Sequence, residues 1–255
     1  MNILVAVKRV PMTGGRIVLT DDEQAIDTRH LGFTVSPHEE CAAEEAVRLV
    51  EAHGGESVVL TLGPPEAEEQ LRDMMAIGVD RAIHLVVEDG QEHDPQATAA
   101  AIVAAVEAQR AAGTEFDLLL FGNESADAGN YQVAIRVAHA LGVPCVTSVK
   151  ALAVESDHVR AEQEVAGGRD VYEVPLPAVV TVREGLNLPR YPSVPGRMRA
   201  KRKPLDASTP VRPPSRLEMQ RLVVPEGEGK QVRILGHGPE AAPAVVEVLS
   251  ELGLV

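Results

Sequence analysis

Two hydrophobic periods take turns along this chain. Ile3–Val7 is a short β-branched run, the pattern of a buried strand. The pattern returns at Ser57–Leu62, Arg81–Val87 and Asp117–Phe121. Helical patterns lie between these runs. Ser36-Pro37-His38-Glu39 predicts a helix start, with Ser at the N-cap, Pro at the first position and Glu three residues after the cap. That helix runs to Gly54-Gly55. Glu66–Ala76 (stopped by Gly78), an Ala-rich stretch from Asp94-Pro95 to near Gly113, and Tyr131–Leu141 (closed by Gly142 and Pro144) are the others. Strands alternating with helices predict an α/β fold: a mostly parallel, Rossmann-like sheet with helices on both faces, of the nucleotide-binding kind. Ligands in such sheets sit beyond the carboxyl ends of the strands, here Lys8–Gly15, Leu62–Pro65, Val87–Gly90 and Gly122–Gly129.

After Cys145 the pattern changes. Val146–Val154, Val159–Val165 and Val171–Val174, joined by Glu155-Ser156-Asp157 and Gly167-Gly168, predict an antiparallel meander, and Ala178–Val182 one more buried strand. Arg16–Leu19 and Ala25–Asp27 are expected to pair as a small excursion. Three regions follow: an α/β domain over 1–185, a Pro-rich basic segment over 186–203, and an extended C-terminal arm over 204–255 with a short helix at 239–252. An arm without its own core is expected to wrap another subunit.

Composition narrows the function. The 255 residues carry a net charge of −14 and only 2% aromatics, with no Trp. That argues against binding DNA phosphates and against base-stacking platforms, so no nucleic-acid partner is expected. Two cysteines, Cys41 and Cys145, cannot build a disulfide framework or a four-Cys metal site. A reducing, cytoplasmic location is expected. The opening MNILVAVKRV does not read as a signal peptide, and the longest apolar run, Ala97 to Val106, is too short for a membrane span, so no direct membrane insertion is expected.

Gly122-Asn123-Glu124-Ser125-Ala126-Asp127-Ala128-Gly129 follows a buried strand and precedes a helix. Such a loop can meet a phosphate through backbone N–H groups, or it can be a polar loop with an Asp cap; the residues leave both open. No G-x-G-x-x-G, Walker A, G-x-S-x-G or H-E-x-x-H occurs. His84 and His139 read as structural, and Cys41 and Cys145 as small core residues. Segment 190–203 carries six basic residues and no acid. The prolines of 186–201 (Pro189, Pro192, Pro195) predict a stiff stretch that is neither helix nor central strand. Tyr191, Val194, Pro195, Met198 and Arg199 read as a docking element, with the cluster Arg197–Lys203 exposed and acting at long range.

These residues resemble a known family. The opening ILVAVKRV, Glu44-Glu45-Ala46-Val47-Arg48-Leu49, AIGVDRAIHL (76–85), Glu164-Val165-x-Gly167-Gly168, Leu176-Pro177-Ala178-Val179-Val180-Thr181 and Asn187-x-Pro189-Arg190-Tyr191 are similar to the β (small) subunit of electron transfer flavoprotein. The resemblance covers nearly the whole chain. It implies a heterodimer with a larger α subunit, which holds most of one FAD, and a structural AMP in β. It implies an electron carrier rather than an enzyme. Electrons come from acyl-CoA and related dehydrogenases and pass to a membrane quinone reductase, as in fatty acid oxidation. The implied adenosine pocket comprises Ala6, Ser36, Glu39, Leu62 and the loop from Gly122 to Val133, including Asp127, Asn130, Tyr131 and Gln132. Glu164 matches a carboxylate near the flavin. The docking loop matches 191–200, with Val194 at the anchor position where Leu is commoner. An FAD-binding subunit of an electron-bifurcating flavoprotein, or an adenine-nucleotide-binding hydrolase or sensor, are the alternatives.

Overall fold

The computed structural model describes residues 1–12, 14, 17–88, 93–214, 216–224 and 233–255. Thr13 and Gly15 of the first expected strand-end loop, and Asp89 and Gly90 of the third, lie outside the described residues. In chain order come β1 (Asn2–Ala6), the short antiparallel pair β2 (Val10–Pro11) and β3 (Phe33–Thr34), α1 (Pro37–His53), β4 (Glu56–Gly63), α2 (Glu68–Ile77) and β5 (Arg81–Val86). Next are α3 (Pro95–Ala111), β6 (Leu118–Gly122), α4 (Val133–Leu141), the meander β7 (Cys145–Glu155), β8 (His158–Val165) and β9 (Gly168–Pro175), and β10 (Ala178–Val182). The chain closes with α5 (Val194–Ala200), β11 (Leu205–Ser208) and α6 (Ala242–Glu251). Local chemistry sets the ends. Asp94 Oδ1 accepts from Ala97 N at 2.7 Å to cap α3, and Gly142, at φ 69°, closes α4 in the left-handed conformation.

Among the described residues the main sheet has nine strands in the order β11-β5-β4-β1-β6-β10-β7-β8-β9. The first seven are parallel; β8 and β9 extend one edge antiparallel. The meander is thus continuous with the sheet. Period-two alternation in β1 sends Ile3 and Val5 into one apolar layer, with Cys41, Ala46 and Val47 of α1 and Leu71 and Met75 of α2. Leu4 and Ala6 enter the other layer, with Ile102 and Val106 of α3 and Val137 of α4. Few aromatics are needed because small residues of α1 and α3 lie close on the sheet. From β1 the chain builds outward through β4 and β5, then crosses to β6 on the other side. The order therefore reverses between β1 and β6, where an open α/β sheet leaves a crevice at its carboxyl edge.

Arg16 of the expected excursion lies outside the described residues; the rest pairs as expected, Leu19 antiparallel with Ile26 and Asp27 N donating to Val18 O at 2.8 Å. Three expectations need correction. First, the Pro-rich segment is not helix-free, because Val194–Ala200 forms α5. Its prolines cluster before or within the first turn, where no N–H is required, and Ser193 caps it by accepting from Gly196 N at 3.1 Å. Gly196 lies so close to the Ala76 carbonyl of α2 that a Cβ has no room.

Second, the basic cluster is not uniformly exposed. Lys203 Nζ donates to the carbonyls of Met75 (3.1 Å), Gly78 (3.0 Å) and Val79 (2.6 Å), capping the end of α2, and burial lowers its pKa. Arg197 pairs with Asp73 at 3.2 Å. Arg199, Lys201 and Arg202 stay exposed. Third, the arm does not leave the domain at 204. β11 pairs parallel with β5, Leu205 opposite Ala82, and becomes an edge strand of the sheet. Further along, Leu222 N donates to Glu23 O at 2.8 Å, and Arg216 N to Asp94 Oδ2 at 2.8 Å. No helix among the described residues is long and apolar enough to cross a membrane.

Lys203 bridges α2 to the strand that follows it. Lys203→Met keeps the aliphatic stem but leaves three carbonyls without their charged donor. It is expected to lower stability by about 1–3 kcal/mol, read from the urea midpoint; an unchanged midpoint contradicts the role of Lys203 in joining α2 to β11.

Candidate functional site

The crevice between β1 and β6 is framed by the loop after β6 and the N-terminus of α1. Its cavity, about 340 Å³, is lined by Ser36, Pro37, His38, Glu124 to Gly129, and Tyr131. The loop is fastened from below. Asn123 N donates to Val182 O at 2.9 Å. The Asn123 Oδ1 accepts from Ser148 N (3.1 Å), Ser148 Oγ (2.9 Å) and Thr181 Oγ1 (2.9 Å). Ser148 sits at φ 56° where β7 shifts register against β10, so Asn123 closes a bulge. From above, Ser36 Oγ accepts from Ala126 N at 2.8 Å and joins helix to loop.

Beneath the cleft lies Glu39, with 6% of its surface exposed. Its carboxylate accepts from Ser36 N at 3.1 Å and from the Lys8 main chain. Burial pushes its pKa up to about 8, against the lowering by those N–H donors and the Lys8 charge. Burial thus favours the protonated carboxyl over the carboxylate. Gly122 makes the arrangement possible: a Cβ there would stand 2.6 Å from Glu39 Cγ and 3.3 Å from His38 Cβ.

Around the rim, Lys8 Nζ pairs with Asp127 Oδ2 at 2.6 Å. Burial raises the Asp127 pKa, but the charge and hydrogen bond of Lys8 outweigh it and leave the group lowered. His38 Nδ1 accepts from Glu184 N at 2.7 Å, which leaves the proton on Nε2, 3.4 Å from Glu124 Oε1. Gly129 and Tyr131 both have positive φ, 54° and 55°. For a tyrosine this is a strained conformation, and it aims an exposed ring at the cleft wall.

Of the sequence-expected residues, Ser36, Glu124, Ser125, Ala126, Asp127, Ala128, Gly129 and Tyr131 line this cavity together. Ala6, Leu62, Glu39, Gly122, Asn123, Asn130, Gln132 and Val133 do not line it. Ala6 is buried inside the sheet, and Leu62 stands one strand away, near the end of β4. Asn123 is spent on the bulge. Gln132 Oε1 accepts from Arg136 Nε at 2.8 Å, and Val133 begins α4, two residues later than expected. Sequence reasoning placed Lys8 at a ligand-facing strand end without naming it as a site residue, and it missed His38, for which the signal was its place inside the helix-start motif. His84 is structural as expected, its Nε2 lying 3.1 Å from Pro64 O. Burial pushes the Cys145 thiol up to about 11, which suits a core residue.

Glu164 lies elsewhere, on β8. It is exposed and stands 3.9 Å from Lys150 Nζ, beside a smaller cavity of about 180 Å³ that Glu162, Arg169 and Gly185 share. Tyr191, Val194, Pro195, Met198 and Arg199 are all exposed around α5. No group of His, Cys, Asp and Glu among the described residues could hold a metal ion.

A doubly wound parallel sheet, with a polar cleft at the point where its strand order reverses, places the chain in the class of α/β proteins that carry their site at the carboxyl edge. Comparison with known proteins narrows the class. The electron transfer flavoprotein domain matches residues 25–211. Proteins named electron transfer flavoprotein subunit beta are similar over most of the chain. That of Bacillus subtilis is 38% identical over 206 residues, covering 81% of this chain and 78% of its own. That of Syntrophomonas wolfei is 32% identical, covering 92% and 90%. That of Bradyrhizobium diazoefficiens is 31% identical over the full length of both. The chain belongs to the electron transfer flavoprotein β-subunit family.

The raised Glu39 pKa sets a pH dependence. Below about pH 4.5 the group is protonated in both folded and unfolded chains, and its contribution to stability is complete. Between pH 4.5 and 8 only the unfolded chain ionises, so stability falls as pH rises, by at most roughly 1.4 kcal/mol per pH unit. Glu39→Gln is expected to flatten the decline between pH 5.5 and 7.5 in urea denaturation. Parallel profiles for the two proteins contradict a neutral Glu39.

Proposed function

We propose that this chain is the small subunit of a heterodimeric electron transfer flavoprotein, with an AMP in the β1–β6 cleft and one FAD held mainly by the α subunit. Its donors are acyl-CoA and related dehydrogenases, and its acceptor is a membrane quinone reductase. The observation that carries this reading is the cleft itself, formed where the family's loop meets the N-terminus of α1.

The residues present fit an adenine nucleotide. The cavity is within the size range of small-molecule sites, roughly 300–1,000 Å³. Asp127, kept ionised by Lys8, and Glu124 supply acceptors for ribose hydroxyls. Backbone N–H groups of a loop opening into α4 suit the phosphate. Pro37, Ala126, Ala128 and Tyr131 supply apolar surface for a base. In this reading the nucleotide ties α1 to the loop and does not react.

The flavin, when bound, accepts and releases the electrons. Toward it this chain offers Glu164, exposed beside Lys150, as a charge on the surface that faces α. In this reading the subunit is an electron carrier without catalytic residues of its own. The arm also supports a partner subunit: Val211, Leu217, Val223, Val224, Ile234, Val245, Val246, Leu252 and Leu254 are all exposed.

Docking of the dehydrogenase belongs to the surface around α5. Val194 is 76% exposed at the start of that helix, and exposed Arg199, Lys201 and Arg202 follow it. An apolar anchor governs dissociation, whereas rim charges govern encounter. Co-expression with the α subunit is expected to give a yellow heterodimer with one FAD, reducible by an acyl-CoA dehydrogenase; a colourless product contradicts the reading. Val194→Ala removes two methyls, about 1–2 kcal/mol if fully buried in the complex. It is expected to raise KM for the dehydrogenase about tenfold and leave the FAD spectrum unchanged. Arg199→Gln is expected to matter only at low salt.

A further inference from the structure

Beyond the docking surface itself, the segment that leads into α5 is held in an unusual way. After β10 the chain lies along α1, and two clasps pin it there. In the first, Asn187 Nδ2 donates to Cys41 O at 3.0 Å and to Glu45 Oε2 at 2.9 Å, and the Cys41 thiol faces Asn187 O at 3.6 Å. In the second, Arg190 takes hold of α1 with main chain and side chain together. Its N–H donates to Glu44 Oε2 at 3.1 Å. Its guanidinium binds Glu44 through Nε (2.9 Å to Oε2) and Nη2 (3.0 Å to Oε1). It binds Glu51 through Nη1 (2.7 Å) and Nη2 (3.0 Å). Glu44 is only 4% exposed.

Between and beside these clasps the side chains point the other way. Leu188 is 91% exposed and Tyr191 96%, and Val194, also exposed, opens α5 three residues later. Arg190 is about a third exposed and Glu51 more so, while Glu44 is buried; an ion pair of this kind adds little net stability, because desolvation and solvent screening offset most of the attraction, and its best use is to select one conformation. Arg190 spends its planar fork on two carboxylates at once, a geometry that lysine cannot copy. What it fixes is a short apolar crest, Leu188–Tyr191–Val194. A crest already held in one conformation loses little entropy when a partner covers it.

We propose that Arg190 is a positioning residue for electron-donor docking. Through Glu44 and Glu51 it holds a crest that begins at Leu188, earlier than the family's docking loop, in the orientation that enters an apolar groove on the dehydrogenase. The inference rests on the docking reading given above. Charge supports the same partner: Arg199, Lys201 and Arg202, exposed in and after the helix that the crest leads into, are cations in a chain whose net charge is −14, so the groove it fits has an acidic border.

The test is a double-mutant cycle on the assembled heterodimer, reduced by an acyl-CoA dehydrogenase of the same organism. Leu188→Ala is expected to raise KM several-fold. Arg190→Lys is expected to raise KM about tenfold while kcat and the FAD spectrum stay unchanged. In the Arg190→Lys background Leu188→Ala is expected to add little, since a crest that is no longer held gains nothing from its leucine. Should Arg190→Lys fail to assemble, Glu51→Gln, which loosens the clasp from its exposed side, replaces it in the cycle with the same expectation. If the clasp variant leaves KM unchanged, or the two effects multiply independently, the positioning role is overturned. If Leu188→Ala and Val194→Ala also leave KM unchanged, the docking reading itself falls.

Discussion

The site depends on one close approach. The N-terminus of α1 comes down on the end of β6 at Gly122, where a methyl group would already collide with Glu39. That contact sinks a carboxyl group beneath the cleft, where burial raises its pKa. It brings Ser36 within 2.8 Å of the loop nitrogen it receives and sets His38 at the rim. Lys8, from the end of β1, joins the same knot through its main chain to Glu39 and its ammonium group to Asp127. Three segments distant in sequence thus meet at one point, which is the reversal of strand order in the sheet.

Helix α1 shapes both the cleft and the surface that precedes α5. Its first turn forms the cleft wall, while Glu44, Glu45 and Glu51 along its length hold the segment that carries the exposed apolar residues Leu188 and Tyr191. Of its nine buried positions three are glutamates, an unusual proportion for a core helix. Each of the three has a polar partner: Ser36 for Glu39, Arg190 for Glu44, Asn187 for Glu45. They are the means by which a helix packed on a sheet also organises the chain that passes over it.

Much of this was legible in advance. Strands β1, β4, β5, β6 and β10 are short, mostly apolar and β-branched or leucine-rich runs, and the caps of α1 and α3 are carried by Ser36-Pro37 and Asp94-Pro95, so local chemistry alone located them. The loop after β6 followed from its place at a strand end. What was hidden depended on tertiary contact. β11 is an edge strand of four residues, mostly exposed, and carries no alternation to announce it. α5 was masked by its prolines, which disfavour helix in general but are tolerated in a first turn. Lys203 read as a solvated charge because nothing local reveals that three carbonyls at the end of α2 await it. Asn123 likewise looks like any polar loop residue until the bulge at Ser148 comes beside it.

The central claim is that the knot at Gly122 builds a nucleotide site. Its most direct test is the nucleotide content of the purified heterodimer after denaturation, for the native chain and for Gly122→Ala, in which the added methyl forces α1 away from the loop. The account predicts one AMP per native heterodimer and much less than one in Gly122→Ala, with FAD retained in both. Recovery of no nucleotide besides one FAD from the native protein, or of two FAD per heterodimer, would contradict it.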